Sequence, residues 1–120
     1  MKISEASARC GLSIDTIRFY ERSGLLPVVD RGADGKRRFS AEDAEWLTLL
    51  ASLRETGMSM KDMRHFADLY SQGNASIPER RRVLESHALL LDKRREALER
   101  CAELLAYKLQ RYDEITGERT

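Results

Sequence analysis

Leu12-Ser13-Ile14-Asp15-Thr16-Ile17-Arg18-Phe19-Tyr20-Glu21-Arg22-Ser23-Gly24-Leu25-Leu26 is the stretch that decides the fold. Ser13 is a good N-cap, because its hydroxyl can accept from an orphan N–H of the first helical turn, and Asp15 complements the positive end of the helix dipole. Gly24 can close the helix in the left-handed conformation. Ile14, Ile17 and Leu25 supply one apolar side, while Thr16, Arg18, Phe19, Tyr20 and Arg22 supply hydroxyl, cationic and aromatic groups. Those groups suit phosphates and base edges, which makes this a candidate recognition helix.

A shorter helix precedes it. Ser4 is the expected cap for Glu5 to Cys10, and Gly11 allows the reversal before Ser13. The pair reads as a helix-turn-helix. Two packed helices without a nucleic-acid role would give the same pattern, so the next segment of the chain is decisive. Pro27 to Phe39 turns abruptly to Gly and Asp punctuation, with Asp34-Gly35 a hairpin signal flanked by Val28 and Val29 on one side and Lys36, Arg37 and Arg38 on the other. A cationic hairpin directly after a helix-turn-helix reads as a wing.

Ile3-Ser4-Glu5, Gly11-Leu12-Ser13, Thr16-Ile17-Arg18-Phe19-Tyr20-Glu21, Gly24-Leu25-Leu26-Pro27, Arg31 and Arg37-Arg38-Phe39-Ser40 together resemble the MerR-family transcriptional regulators. The resemblance implies a mostly α fold. It comprises a winged helix-turn-helix head, two supporting helices and a long C-terminal helix that forms an antiparallel coiled coil with a second copy. It places Thr16, Arg18 and Tyr20 on DNA from the recognition helix and Arg37 and Arg38 from the wing. Ser13, Phe19 and Lys36 join that candidate set by position. Three residues depart from the family pattern. Phe19 lacks the hydroxyl of the usual second tyrosine, Lys36 replaces an aromatic, and Ser7 puts into the first helix a hydroxyl that must find a partner.

At 120 residues, 42% hydrophobic and 34% charged, the chain is poorly suited to one large core. A small head with an exposed helix that buries its seam against another chain fits better. The net charge of +1 conceals an asymmetry. Residues 1 to 40 hold eight Lys or Arg against five Asp or Glu, whereas residues 41 to 75 hold three against six, so the basic surface belongs to the head. There is no basic-then-apolar leader and no apolar run near the roughly eighteen residues that would cross a bilayer, which implies a cytoplasmic protein with no membrane partner. Cys10 and Cys101 are too far apart and too few for a disulfide framework.

Ser40, with Asp43 three residues on, predicts a capping box for a helix carrying Ala44, Leu47, Leu50, Ala51 and Leu53 and ending at Gly57. Trp46 at that spacing reads as core or as a hinge between helices, with ligand stacking the other option. Ser59 caps a second helix, Met60 to Tyr70, striped with Met63, Phe66 and Ala67. In the family resemblance this pair supports the head, and Ser59 and Lys61 become candidate phosphate contacts. These residues complete a DNA-binding head over 1–70, followed by a linker over 71–78.

The dimerisation helix, expected over 79–115 with a tail over 116–120, is opened by Ser76 and Pro78. Ile77, Leu84, Leu91, Leu98, Leu105 and Tyr112 repeat every seven residues. With these at d, Arg81, Ala88, Arg95, Ala102 and Leu109 fall at a. Large residues facing small ones suit close antiparallel helices and predict a homodimer. About 33 helical residues span roughly 50 Å, enough to hold two heads at half-sites about 34–36 Å apart. Arg80-Arg81-Arg82 is expected to pair with the acidic 41–75 segment in preference to DNA.

No catalytic constellation is legible, so enzyme activity is not expected, and neither a cofactor nor a metal is called for. His65 and His87 are at non-ligand spacing. The family resemblance implies that a metal-sensing member would carry cysteines near the start of the dimer helix and after it, where this sequence has Ser76 and a cysteine-free 116–120. Length and helix pattern resemble the stress- and aldehyde-responsive branch of the family, although Ser52-Leu53-Arg54 stand where that branch carries a cysteine. Cys101, at g on the seam's margin, is either a small residue filling the interface edge or an electrophile-sensing thiol. The function expected is that of a sequence-specific promoter-binding regulator. The family resemblance implies that it binds an inverted-repeat promoter as a homodimer and activates by distorting the DNA, reaching RNA polymerase indirectly. A DNA-architectural factor of excisionase type and a protein-interaction module built on the same head are the alternatives.

Overall fold

The computed structural model describes residues 1–27 and 30–117, with Asp30 described through its backbone alone. Val28 and Val29 of the expected hairpin, and Glu118 to Thr120 of the expected tail, lie outside these residues. The elements run α1 (Ile3–Cys10), α2 (Ile14–Arg22), β1 (Asp30–Arg31), β2 (Arg37–Arg38), α3 (Ala41–Glu55), α4 (Met60–Ser71), a single 3-10 turn (Asn74–Ser76) and α5 (Ile77–Thr116). They group into two compact units, Met1–Val83 and Leu84–Thr120.

In the first unit α1 starts earlier than its sequence suggests. Lys2, not Ser4, is the N-cap residue, and it makes no side-chain cap. The start is fixed instead by pairing with the far end of the wing. The Met1 ammonium donates to the Phe39 carbonyl at 2.6 Å and the Phe39 N–H donates to Met1 O at 2.8 Å. Ser7 satisfies its hydroxyl on Leu12 O at 2.6 Å, which also stitches the turn between α1 and α2.

α2 begins and ends as its sequence predicts. Ser13 Oγ accepts from the Thr16 N–H. Gly24 N–H then donates to Glu21 O and Leu25 N–H to Tyr20 O, the paired bonds of a Schellman ending. The same pair recurs after α3, where Gly57 and Met58 donate to Arg54 and Leu53. α3 opens with a complete capping box between Ser40 and Asp43. The core gathers Ala6 of α1, Ile17 of α2, Leu25, Phe39, Leu47 and Leu50 of α3, and Met63 and Phe66 of α4.

Trp46 is a core residue that locks three pieces together. Its indole N–H donates 2.7 Å to Leu25 O at the exit of α2. Its ring stacks on Phe66 and Tyr70 of α4 at 5.2 and 4.3 Å between centroids. The recognition helix is thereby coupled to both supporting helices, since a buried indole takes its full packing only with its N–H paired.

The 71–78 linker is shorter than expected. Ser71 ends α4, and the 3-10 turn runs straight into α5, which begins at Ile77, two residues before the expected start, and ends at Thr116. Ser76 does not cap the helix. It is buried, donating to Leu69 O and to Gly73 O, and accepting from Arg80 Nε at 3.0 Å. Arg80 also reaches Gly73 O at 2.9 Å and lies 5.2 Å over the Tyr70 ring. This corrects the expected ion pairing of Arg80, because a hydroxyl, a helix-end carbonyl and a π face occupy its guanidinium.

The second unit is the remainder of α5. The whole helix has 40 residues, about 60 Å of length at ~1.5 Å per residue. Leu98, Leu105, Leu109 and Tyr112 of the expected seam are exposed on the single chain, Leu98 by 71%, and so is Ala102. Leu84 and Leu91 are half-buried. Exposed apolar surface extends beyond that seam to Leu89, Leu90, Leu104, Tyr107 and Ile115. His87 is buried and Cys101 exposed. Among the described residues no helix is long and apolar enough to cross a membrane.

Candidate nucleic-acid interface

The exposed side of α2 presents Arg18 and Arg22, together with Phe19, which is 43% exposed. Thr16 is half-buried at the helix start, where its hydroxyl accepts from Ser13 Oγ at 2.9 Å. Ser13 thus serves first as a cap. Arg18 has only a loose 3.9 Å contact with the almost fully exposed Asp15, which leaves its guanidinium available to an incoming acceptor.

Tyr20 requires a correction. It is 4% exposed and belongs to the core, one turn on from Ile17, so its ring is withdrawn from the α2 surface that was expected to carry it. Burial raises its hydroxyl above the ordinary value of 10.0, and the Arg54 guanidinium partly opposes that rise. A raised folded-state value means that the unfolded chain loses this proton first. The stability contribution is therefore complete below about pH 10 and declines as pH rises through the folded value. Urea unfolding followed between pH 8 and 11 should show a loss of stability above pH 10 that is smaller in Tyr20→Phe. Superimposable pH profiles would remove Tyr20 as the cause.

The wing is a two-stranded antiparallel pair with Asp30 opposite Arg38 and Arg31 opposite Arg37. Its tip closes with Gly32 N–H on Lys36 O and Gly35 N–H on Gly32 O. Asp34 Oδ1 accepts from the Lys36 N–H at 3.0 Å. Gly35, at φ 75°, supplies the left-handed residue that this turn needs.

Side chains alternate across a strand, so Arg37 and Arg38, both expected on DNA from the wing, occupy its opposite faces. Arg37 Nε donates to Glu21 Oε1 of α2 at 2.7 Å. Glu21 Oε2 lies 2.6 Å from the same nitrogen but off the N–H direction, a charge contact without a second hydrogen bond. Both side chains are largely covered, which makes this pair the brace between wing and recognition helix. Arg38 pairs with Asp34 inside the wing at 3.4 Å and packs its guanidinium over Gly32.

On the Arg31–Arg37 face, the wing, the start of α1 and α2 enclose a groove of about 380 Å³. Lys2, Arg18, Arg31, Lys36 and Arg37 line it, and no carboxylate does so among the described residues. Sequence reasoning assigned no role to Lys2 or Arg31. Lys2 carries no motif signal, and Arg31 entered only as part of the family pattern. Ser59 caps α4 by accepting from Asp62 N–H, and Lys61 is exposed beside it. Neither lines the groove. Among the described residues no cluster of three or more His, Cys, Asp or Glu is placed to hold a metal ion.

Residues 1–69 match the family described as MerR HTH family regulatory protein, and residues 44–107 match that described as MerR, DNA binding. An uncharacterized HTH-type transcriptional regulator of Haemophilus influenzae is 40% identical over 109 residues, covering 91% of this chain and 81% of the relative. The regulator YfmP of Bacillus subtilis is 36% identical over 117 residues, covering 95% and 79%. The crystal structure of HiNmlR, a MerR family regulator lacking the sensor domain, bound to promoter DNA, superposes with a TM-score of 0.85 at 38% identity, covering 97% of this chain and 92% of that one. With its winged helix-turn-helix head and long C-terminal helix, this chain belongs to the MerR family of DNA-binding transcriptional regulators.

Proposed function

We propose that the protein binds an inverted-repeat promoter as a homodimer in the cytoplasm and activates transcription by distorting the DNA between its two heads. The observation that carries this reading is the continuous cationic surface formed by the outer side of α2 and the Arg31–Arg37 face of the wing, braced by the Glu21–Arg37 pair. The relative of similar length whose structure contains promoter DNA supports it. Dimerisation uses the α5 seam of Leu84, Leu91, Leu98, Ala102, Leu105, Leu109 and Tyr112, and the two copies run antiparallel. Ser13 and Thr16 lie where the α2 N-terminus meets a phosphate, Arg18 reads a base edge, and Phe19 offers an apolar face. Ser59 and Lys61 add a phosphate contact at the start of α4. Bending and untwisting an over-long promoter spacer costs a few kcal/mol and has to be offset by contacts from two coupled heads, so RNA polymerase is affected through DNA geometry. The signal belongs to the stress- or aldehyde-type class, and the exposed Cys101 thiol is its candidate point of entrance.

Selecting bound duplexes from a random pool tests the core of this reading. The expected product is an inverted repeat with half-site centres separated by a whole number of helical turns. On that duplex, Arg18→Ala should relax preference at one base pair per half-site by ~1–3 kcal/mol. Lys36→Ala should weaken all sequences alike and lower the salt slope by about one. Recovery of unrelated sequences would contradict a sequence-specific regulator and leave an architectural one.

A further inference from the structure

We propose that the groove between the start of α1, α2 and the wing is a built seat for one DNA backbone phosphate, and that Lys2 is the residue that closes it. The inference rests on the DNA-binding reading and extends it to a contact that the recognition helix and wing do not make alone. Cations reach the groove from five separate places: Lys2 before α1, Arg18 in α2, Arg31 in β1, Lys36 at the wing tip and Arg37 in β2. Among the described residues, Arg37 alone of these five has its charge balanced closely, by Glu21 at 2.6 Å. The 3.9 Å contact of Arg18 with Asp15 is too exposed to neutralise it.

The seat is also held in shape before any ligand arrives. Arg31 donates to Gly35 O at 2.9 Å, which fixes one arm of its planar fork while other donors remain for an anion. The backbone on either side of Lys2 is tied down. Met1 pairs both ways with Phe39 at the end of the wing, and Lys2 O accepts from the Glu5 and Ala6 N–H groups. α1 carries no side-chain cap at Lys2, and Ser4 lines the groove beside it, so hydroxyl chemistry adjoins the cations. A concentration of positive charge with prearranged donors is the arrangement that binds phosphate most economically, because little ordering is left to be done on binding. A duplex is the occupant that fits: the groove adjoins Arg18 on α2, so a backbone crossing it would position the same helix for the bases.

The test uses the full-length protein with two probes, the duplex recovered by selection and an unrelated duplex of equal length. Lys2→Ala should weaken both by the same factor, about 3- to 10-fold at moderate salt, and reduce the salt slope by about one, whereas Lys2→Arg should restore the parent slope. Replacing single phosphates of the selected duplex by uncharged methylphosphonates should reveal one position per half-site that weakens the parent but no longer weakens Lys2→Ala. Lys93→Ala, an exposed cation on α5 outside the groove, should leave that pattern intact. If the parent binds DNA and Lys2→Ala keeps both the slope and the methylphosphonate pattern, the phosphate seat is wrong while the DNA-binding reading survives. If the parent binds neither duplex, the reading beneath it fails. If inorganic phosphate at matched ionic strength stabilises the parent but not Lys2→Ala, and DNA affinity is indifferent to Lys2, the groove serves a free anion and the proposal is overturned.

Discussion

Replacing Trp46 with alanine should cost the head about 3–5 kcal/mol, the range for removing a large buried aromatic, and this is a large fraction of the 5–15 kcal/mol that keeps a typical domain folded. Three losses coincide at this position. The stack with Phe66 and Tyr70 disappears, a cavity opens between α3 and α4, and Leu25 O loses the 2.7 Å hydrogen bond that ties the exit of α2 to α3. Trp46→Phe keeps a smaller ring for the stack while giving up the N–H and part of the indole's area, and it should cost less, about 1–3 kcal/mol. Urea unfolding followed by circular dichroism at fixed protein concentration reads both variants. Fluorescence serves only the parent, because Trp46 is the single tryptophan of the chain and reports the head directly. A Trp46→Ala protein as stable as the parent would mean that the aromatic stack is incidental to the fold.

The head was legible in sequence wherever local chemistry decides structure. Ser13, Ser40 and Ser59 cap the helices they were expected to cap, and Gly24 and Gly57 end theirs, because a hydroxyl three residues before an N–H and a residue free of Cβ strain act within one turn of chain. Errors arose where a partner distant in sequence overrides local preference. Ser4 looked like a cap, yet pairing of Met1 with Phe39, 38 residues away, sets the start of α1. Tyr20 looked like a DNA contact because it neighbours Arg18 and Phe19 in the chain. At 3.6 residues per turn, however, it lies close to the core side marked by Ile17. Arg37 and Arg38 looked equivalent until strand alternation gave one to Glu21 and the other to Asp34. Lys2 had no local signal, and Arg31 had only its place in the family pattern. Their membership of the cationic groove is created by the turn that folds the wing back beside α1.

Leu98→Glu should convert the protein to a monomer at micromolar concentration while leaving the head folded. In the single chain Leu98 is 71% exposed, so the substitution removes little packing from the isolated protein and the penalty arises only when a second α5 covers the position. There the carboxylate would be buried without a partner beside Ala102, the small residue on which close approach of the proposed antiparallel helices depends. Mass in solution by light scattering or sedimentation reads the assembly, and the unfolding curve of the head, followed through Trp46, reads its independence. DNA binding should fall much further than the change in mass suggests. In the proposed dimer, two heads joined through α5 would present the second to its half-site at a high effective concentration, and losing such a linkage typically removes 10²- to 10⁴-fold of apparent affinity. A duplex carrying one half-site should be bound equally by variant and parent, which separates loss of avidity from damage to the interface. A Leu98→Glu protein that remained dimeric would place the seam elsewhere on α5, and the exposed Leu90 and Leu104, two intervals of seven residues apart, are where the same substitution should then be made.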